Sequence, residues 1–349
     1  MIPAYEPDER FIALLEDLVG QNMSPLVLVD DGSGAEYAQL FGRASELLDR
    51  LGGDGSILLT HKVNRGKGAA LKTAFRHVLA AMPDAVGVVT ADSDGQHTPA
   101  CIARVREALL ASSSALVMGV RDFGGDEVPW KSRAGNKITS WVFARLTGTR
   151  VSDTQTGLRG VPRDLMKDCL ELTGDRFEFE IQMLSHAQGR VPIVEVPIAT
   201  VYDSRENHQT HFNTVRDSFR IYKALFHEPV LFAMVSLSSA AVDLTVFWLL
   251  CNLTRGMIGY VALSTVLARI ISAVYNYLLN ARIVFKSERS TGQTAPRYAA
   301  LAVILMVSSA TLVTLGTMLL PKVAEVAVKV VVEISLFFVS FAVQKRFVF

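Results

Sequence analysis

Over residues 1–212, short apolar runs of β-type composition alternate with segments whose apolar positions recur three and four residues apart. That alternation predicts an α/β domain built on a largely parallel sheet. The runs place strands at 2–4, 26–29, 56–60, 86–90, 116–120 and 193–197, and helices at 9–19, 36–51, 69–82, 99–111, 131–147 and 179–188. From 229 onward the rhythm changes to long stretches almost free of charge. Residues 230–253 contain only Asp243, 256–279 only Arg269, 298–320 none, and 323–344 Glu325, Lys329 and Glu333. Each stretch is 22 to 24 residues long, enough for a helix to cross about 30 Å of hydrocarbon. Four spans are the simplest count, because four buried core helices in succession with short connections are an uncommon arrangement.

Residues 213–228, between the two regions, predict a helix with two stripes. Val215, Phe219, Tyr222 and Phe226 form an apolar stripe, and Arg216, Arg220, Lys223 and His227 a basic one. Such a helix packs on its own domain or lies in a headgroup layer, and its place just before a span favours the second. The expected organisation is a domain at 1–212, an amphipathic interfacial helix at 213–228 and an all-α transmembrane domain at 229–349.

Composition sharpens this division. The 349 residues are 50% apolar with a formal net charge of +1 and a mean hydropathy of +0.29. The near-neutrality is a cancellation: 10 of the 35 basic and 4 of the 34 acidic residues lie beyond 228, leaving 25 and 30 before it. The first region is therefore net −5 and the second net +6. A mildly acidic soluble region disfavours a nucleic-acid binder. Cys101, Cys169 and Cys251 are scattered and odd in number, which argues against a disulfide framework or a zinc site and for a reducing compartment. No targeting segment precedes Ile2-Pro3-Ala4-Tyr5. Arg220 and Lys223, then Arg282, Lys286, Arg289 and Arg297, then Lys345 and Arg346 flank one side of the spans, whereas the other connections carry only Arg255 and Lys322. By the positive-inside rule this predicts a multi-pass protein of the cytoplasmic (inner) membrane, with the soluble domain and both termini in the cytoplasm. Arg282-Ile283-Val284-Phe285 and Arg346-Phe347-Val348-Phe349 end spans two and four alike, as two parallel hairpins of common plan would.

The polar motifs fall where the predicted strands end, the usual ligand position in such sheets. Val29-Asp30-Asp31-Gly32-Ser33-Gly34 follows the second strand, and Thr90-Ala91-Asp92-Ser93-Asp94-Gly95-Gln96-His97 the fourth. An Asp-x-Asp pair sets two carboxylates on one side of an extended segment, about 6–7 Å apart, so that both address one hard cation such as Mg2+ or Mn2+. No glutamate stands at the twelfth position of an EF-hand loop. Asn64-Arg65-Gly66-Lys67-Gly68-Ala69-Ala70-Leu71 is a glycine-rich turn opening a helix, suited to an anion or to a plain helix start. It is not a Walker loop, since Ala69 stands where a serine or threonine would hold magnesium.

Taken in order, Ile2-Pro3-Ala4-Tyr5-Glu6-Pro7, the two acidic motifs, the glycine-rich turn and Asp153-Thr154-Gln155-Thr156-Gly157-Leu158-Arg159 resemble the family 2 glycosyltransferases of the GT-A fold. The nearest subgroup is the dolichyl-phosphate mannose synthase type, which acts on polyprenyl phosphates. The second region, with Val242-Asp243-Leu244, Tyr277-Leu278-Leu279-Asn280 and aromatic-rich ends, is similar to GtrA-like four-helix membrane proteins. The resemblance covers nearly the whole chain and is more specific for the domain class than for the sugar. Two departures stand out. The family's first strand begins several residues upstream of Ile2, which would place the true start ahead of Met1 or leave that strand short, and Glu6-Pro7 replaces an asparagine-glutamate pair.

The resemblance implies the following chemistry. Asp92, Asp94 and Gln96 would hold Mg2+ or Mn2+ against the diphosphate of a GDP- or UDP-sugar. Pro3, Ala4, Tyr5, Glu6, Asp30, Asp31, Lys67, Asp92 and Ser93 would line the nucleotide-sugar site. The acceptor, a polyprenyl phosphate of undecaprenyl type, is already anionic near neutral pH and needs no strong base. Arg121 and Arg133 would hold it, with Asp153, Gln155 and Thr156 positioning sugar or acceptor, and attack opposite the leaving nucleotide would invert the anomeric centre. Asp94, Arg121 and Arg133 are thus the catalytic candidates. Phe177-Glu178-Phe179-Glu180 either contacts the donor sugar or starts a helix. In the membrane, Asp243 with Arg269, and Lys329 with Glu333, form structural ion pairs or serve a lipid headgroup. An alternative of another class is a lipid-linked-sugar flippase or transporter subunit whose soluble domain only binds cargo, which the intact Asp92, Asp94 and Lys67 speak against. A processive polysaccharide synthase would carry a Gln-x-x-Arg-Trp motif, and no Arg-Trp pair occurs. A homo-oligomer is left open.

Overall fold

Successive side chains of a strand point to opposite faces, so a run such as Val27-Leu28-Val29, buried throughout, must face two cores. In the computed structural model, which describes residues 1–121, 130–199, 214–255, 258, 260–287, 289–319 and 325–349, it does. Val27 and Val29 join one apolar cluster and Leu28 another, as do Leu116, Met118 and Val120 against Val117. The chain divides into two units, Met1–Leu225 and Phe226–Phe349.

In the first unit β1 (Ile2–Ala4), β2 (Val27–Asp30) and β3 (Ile57–Thr60) pair in parallel. β4 (Gly87–Thr90), β5 (Leu116–Arg121), β6 (Arg159–Pro162) and β7 (Ile193–Ile198) pair in the order β4-β6-β5-β7. The Met1 amino group donates to the Val89 carbonyl at 2.8 Å and the Ala91 N–H to the Met1 carbonyl at 3.0 Å, which joins β1 to β4. The resulting order is β3-β2-β1-β4-β6-β5-β7. The expectation of a mainly parallel α/β sheet holds, with one addition: β6 runs antiparallel to both neighbours. Arg159-Gly160-Val161-Pro162 shows no apolar period, which is why the pattern predicts no strand there.

One face is covered by α1 (Glu9–Gly20), α2 (Ala38–Asp49) and α4 (Pro99–Ala111). The Asp8 carboxylate caps α1 by accepting the Arg10 N–H at 3.0 Å, and Phe11, Ile12, Leu14, Leu15 and Leu18 put its apolar stripe inside. Each such side chain contributes roughly 1.5–3 kcal/mol. The other face is covered by α3 (Lys67–Ala81), α5 (Trp130–Thr147), α6 (Arg163–Cys169) and α7 (Glu178–Ala187), together with the first residues of α8 (Thr214–Leu253). In α8 the side chains that reach this core are Ile221 and Leu225. Of the predicted apolar stripe, Tyr222 packs against them while Phe219 stays 69% exposed and Phe226 38%. Residue 213 and the side chain of Val215 lie outside the described residues.

The second unit contains the rest of α8, α9 (Tyr260–Leu279), α10 (Thr291–Leu319) and α11 (Glu325–Val343). Its large apolar side chains are mostly exposed, Leu237, Trp248, Met306 and Val331 among them. Among the described residues three helical stretches are long and apolar enough to cross a membrane: Arg216–Leu253, Thr291–Leu319 and Ala327–Val348. α9, at 20 residues, would extend about 30 Å. Residues 256, 257 and 259 of the predicted second span, and 320–324, which include Lys322, lie outside the described residues.

The two similar endings adopt the same shape. Asn280–Val284 and Gln344–Val348 are π-helical turns, with the Phe285 N–H donating to the Asn280 carbonyl and the Phe349 N–H to the Gln344 carbonyl, both at 2.9 Å. Their equivalents meet: Asn280 Nδ2 donates to Gln344 Oε1 at 3.4 Å, and the Phe285 and Phe349 rings stack with centroids 5.2 Å apart. Arg269 and Asp243 pair at 3.6 Å, and the Asp243 carboxylate also accepts the Ser272 hydroxyl. Glu333 accepts the Ser309 hydroxyl at 2.7 Å instead of the expected Lys329 ammonium.

Candidate functional site

The strand ends and the turns beyond them bring most of the candidate residues together. Asp30 closes β2, and its Oδ1 accepts the Ser33 N–H at 2.9 Å. Asp31 is 2% exposed, and its carboxylate is committed inward. It accepts the Arg65 N–H at 3.0 Å, the Gly66 N–H at 2.7 Å and a hydrogen bond from His61 Nδ1 at 2.7 Å. The structure therefore gives Asp31 the task of shaping the glycine-rich turn. Gly32, at φ +76°, lets the two loops touch, since a Cβ there would collide with the Val63 backbone. Pro3 and Ala4 belong to β1. Tyr5 and Glu6 follow it, with the Glu6 N–H donating to Ser33 Oγ at 2.9 Å. The hydrogen bond from Tyr5 to Glu6 holds the phenol above its ordinary pKa.

Gly66 and Lys67 then open α3. Lys67 Nζ lies 2.5 Å from Asp92 Oδ1 and 2.9 Å from Glu180 Oε1. Burial alone would lower the pKa of this ammonium, but the two carboxylates reverse the direction and raise it. Burial likewise opposes ionisation of Asp92, yet Lys67 draws its carboxyl down to about 2. Asp94 goes the other way, raised by burial and then by the negative charge of Asp92. Asp94 Oδ1 accepts the Gln96 N–H at 3.0 Å, Ser93 stands between the two carboxylates in sequence, and the Asp92 N–H donates to His97 Nδ1 at 3.1 Å. Burial lowers the His97 pKa, although Asp92 and Asp94 act in the opposite direction.

The Asp153 loop closes the other side. The Asp153 side chain is fully buried and accepts the Arg121 guanidinium twice, from Nε at 2.7 Å and Nη2 at 3.1 Å. The same carboxylate takes the Gln155 N–H at 3.1 Å, while the Gln155 side chain is exposed. The Thr156 hydroxyl accepts the Leu158 N–H at 3.2 Å. Arg133 lies in the first turns of α5, partly exposed, and Asn136 of that helix donates to the Ser152 carbonyl at 2.8 Å, tying α5 to this loop. Arg121 is thus aimed by a bidentate partner from the same candidate set.

Three residues outside the candidate set complete the arrangement. Glu180, 6% exposed, is the second partner of Lys67, so the Phe177–Glu180 motif both starts α7 and reaches the site. Arg159 is 1% exposed and donates to three carbonyls, Thr154 at 3.1 Å, Thr156 at 2.9 Å and Glu180 at 2.6 Å. Gly157 faces Asp92 so closely that a Cβ would collide with its carboxylate. All three lie in motifs the sequence marks, Gly157 and Arg159 in the Asp153 motif and Glu180 in Phe177–Glu180, but local pattern assigns none of them a site role of its own.

Among the described residues no group of three His, Cys, Asp or Glu side chains converges on a metal position. Two hard carboxylates, one carrying an unfavourable proton balance because of the other, nevertheless suit Mg2+ or Mn2+, which commonly take one or two carboxylates and complete their shell with water and substrate phosphates.

Both regions of the chain match known family models. Residues 1–169 match the model of glycosyl transferase family 2, and residues 231–349 that of the GtrA/DPMS transmembrane domain. A UDP-N-acetylglucosamine–dolichyl-phosphate N-acetylglucosaminyltransferase of Methanococcus voltae is 28% identical over 214 residues, 58% of this chain and 84% of that protein. An uncharacterized protein of Methanocaldococcus jannaschii is 28% identical over 207 residues, 58% of this chain and 80% of its own length.

Proposed function

From a chain that carries a family 2 glycosyltransferase domain followed by a GtrA/DPMS transmembrane domain, we propose an enzyme that transfers a sugar from a GDP- or UDP-sugar to a polyprenyl phosphate at the cytoplasmic face of the membrane. The carrying observation is the Lys67–Asp92–Glu180 cluster beside Asp94, set at the strand ends and facing the Arg121–Asp153 pair. The dolichyl-phosphate acceptor in the name of the Methanococcus voltae relative supports the acceptor class.

Asp92 and Asp94, with Gln96, would hold Mg2+ or Mn2+, which supplies charge neutralisation for the diphosphate leaving group when bound. Lys67 shares its charge between Asp92 and Glu180 and so fixes the Asp92 carboxylate in place. Asp30, Pro3, Ala4, Tyr5, Glu6 and Ser93 border the nucleotide-sugar, and Asp31 sets the loop that admits it. Arg121, held at a fixed angle by Asp153, and Arg133 attract the acceptor phosphate and place its oxygen against the anomeric carbon. The acceptor dianion attacks from the face opposite the departing nucleotide, the C–O bond to the diphosphate breaks with its electron pair, and the centre inverts. The exposed Phe219 and the basic residues of the helix before the first span suit a headgroup layer, where the acceptor is found.

The test is the full chain in lipid with magnesium or manganese, undecaprenyl phosphate and a panel of radiolabelled UDP- and GDP-sugars. The expected outcome is a labelled polyprenyl-phosphate-sugar from one donor, lost in Asp94→Ala. Absence of transfer from every donor, with Asp94→Ala behaving as the parent chain does, would overturn the enzyme reading. Glycolipid binding retained in that case would point to the cargo-binding alternative.

A further inference from the structure

Away from the strand ends, the membrane unit contains a cavity of about 330 Å³ between the end of α9, the π turn after it and the first turn of α10. Arg282, Lys286 and Arg289 line it, and so do the hydroxyls of Ser287 and Thr294. Among the described residues no carboxylate lines it and none of the three cations is ion-paired. The base is firm: Tyr277 and Thr294 are buried and their hydroxyls lie 2.6 Å apart. Lys286 adopts a left-handed φ of 45°, and the next N–H, that of Ser287, donates to the Ala281 carbonyl at 2.8 Å. A lysine in that conformation costs about 1 kcal/mol or more and persists where its surroundings enforce it.

Arg282, Lys286 and Arg289 are exposed around one small space, and an anion among them would offset their mutual repulsion. The complementary group is a phosphate, whose oxygens accept from guanidinium forks, an ammonium and hydroxyls together. The volume is at the lower end for ligand clefts, enough for a headgroup and too little for a lipid chain. The helices on either side present apolar side chains outward, Ile283 and Val303 among them, on which an acyl or prenyl chain would lie. Basic pockets between membrane helices bind phosphorylated lipid headgroups for this reason.

We propose that this cavity binds the phosphate of an anionic membrane lipid, as a second anion site separate from the one at the strand ends. It depends on the membrane unit alone, so it stands whether or not the proposed transfer reaction is correct.

The test titrates the full chain in detergent with dioctanoylphosphatidic acid, dioctanoylphosphatidylcholine and inorganic phosphate, read by calorimetry. Saturable binding of phosphatidic acid, at least about tenfold tighter than either of the others, is expected. Arg282→Gln and Arg289→Gln should each weaken it about tenfold, the scale of one charge-assisted hydrogen bond. The triple change with Lys286→Gln should abolish saturation. Arg50→Gln, Arg255→Gln and Arg346→Gln combined, which remove the same charge outside the cavity, should leave the affinity within about twofold. Thr294→Val leaves the charge intact and keeps the test decisive should the triple variant unfold: it is expected to weaken binding a few-fold. Three results overturn the proposal: inorganic phosphate competing on equal terms, which assigns the cations to a free anion; phosphatidylcholine binding as tightly; or an equal loss in the outside triple variant.

Discussion

At the strand ends of the first unit, charges are buried with charges: Lys67 between Asp92 and Glu180, Arg121 against Asp153. In the second unit the covered polar groups are chiefly neutral. Asn276 Nδ2 donates to Ser239 Oγ at 2.9 Å and its Oδ1 accepts the Tyr298 hydroxyl at 2.8 Å. Asn280 Nδ2 donates to Asn276 Oδ1 at 2.7 Å, and Gln344 Nε2 to Ser340 Oγ at 3.0 Å. The difference follows from the surroundings. A charge covered in the first unit is stabilised by opposite charge, whereas in hydrocarbon a charge is expensive and amides and hydroxyls hold helices together at small cost. Electrostatics thus serves chemistry in one unit and packing in the other.

That contrast can be broken by measurement. Asp94→Ala should lower transfer about a thousandfold, or ~4 kcal/mol of transition-state stabilisation, with unchanged thermal unfolding; comparable rates in the radiolabel assay would remove Asp94 from the machinery. Lys67→Met leaves two carboxylates facing without their cation and should cost about 3 kcal/mol of stability, seen as an earlier unfolding transition in detergent, with Glu180→Gln in the same chain restoring part of it. Gly157→Ala drives a methyl into the Asp92 carboxylate and should reduce transfer about thirtyfold, ~2 kcal/mol, chiefly through weaker use of the divalent ion in a metal titration. Asn280→Ala should cost only about 0.6 kcal/mol of stability and leave transfer unchanged. A loss from Asn280→Ala as large as from Lys67→Met would erase the distinction between the units.

Much of this arrangement was legible in the sequence, and the exceptions share a cause. The mainly parallel sheet, the motif order and the long apolar helices follow from periodicity and from what strand ends require. β6 was not legible because its identity comes from the neighbours it pairs with, β4 and β5, rather than from any alternation of its own. Asp31 was grouped with Asp30 for ligand contact, yet the backbone N–H groups of Arg65 and Gly66, more than thirty residues away in sequence, claim its carboxylate. Glu180 was left between two roles because only the fold brings α7 next to the start of α3. Local pattern reports local structure, and each of these residues is defined by a partner distant in sequence.

Arg159 shows what such dependence means for assembly over time. Its guanidinium is enclosed by carbonyls of residues 154, 156 and 180, and the last of these is synthesised well after the acidic motifs. Until α7 docks, that cation lacks one of its three acceptors, and Lys67 has Asp92 without Glu180. A nascent chain that has emerged only as far as β6 therefore holds every aspartate of the site without the geometry that makes them useful. The arrangement around Lys67 and Arg159 is therefore complete only when α7 is in place.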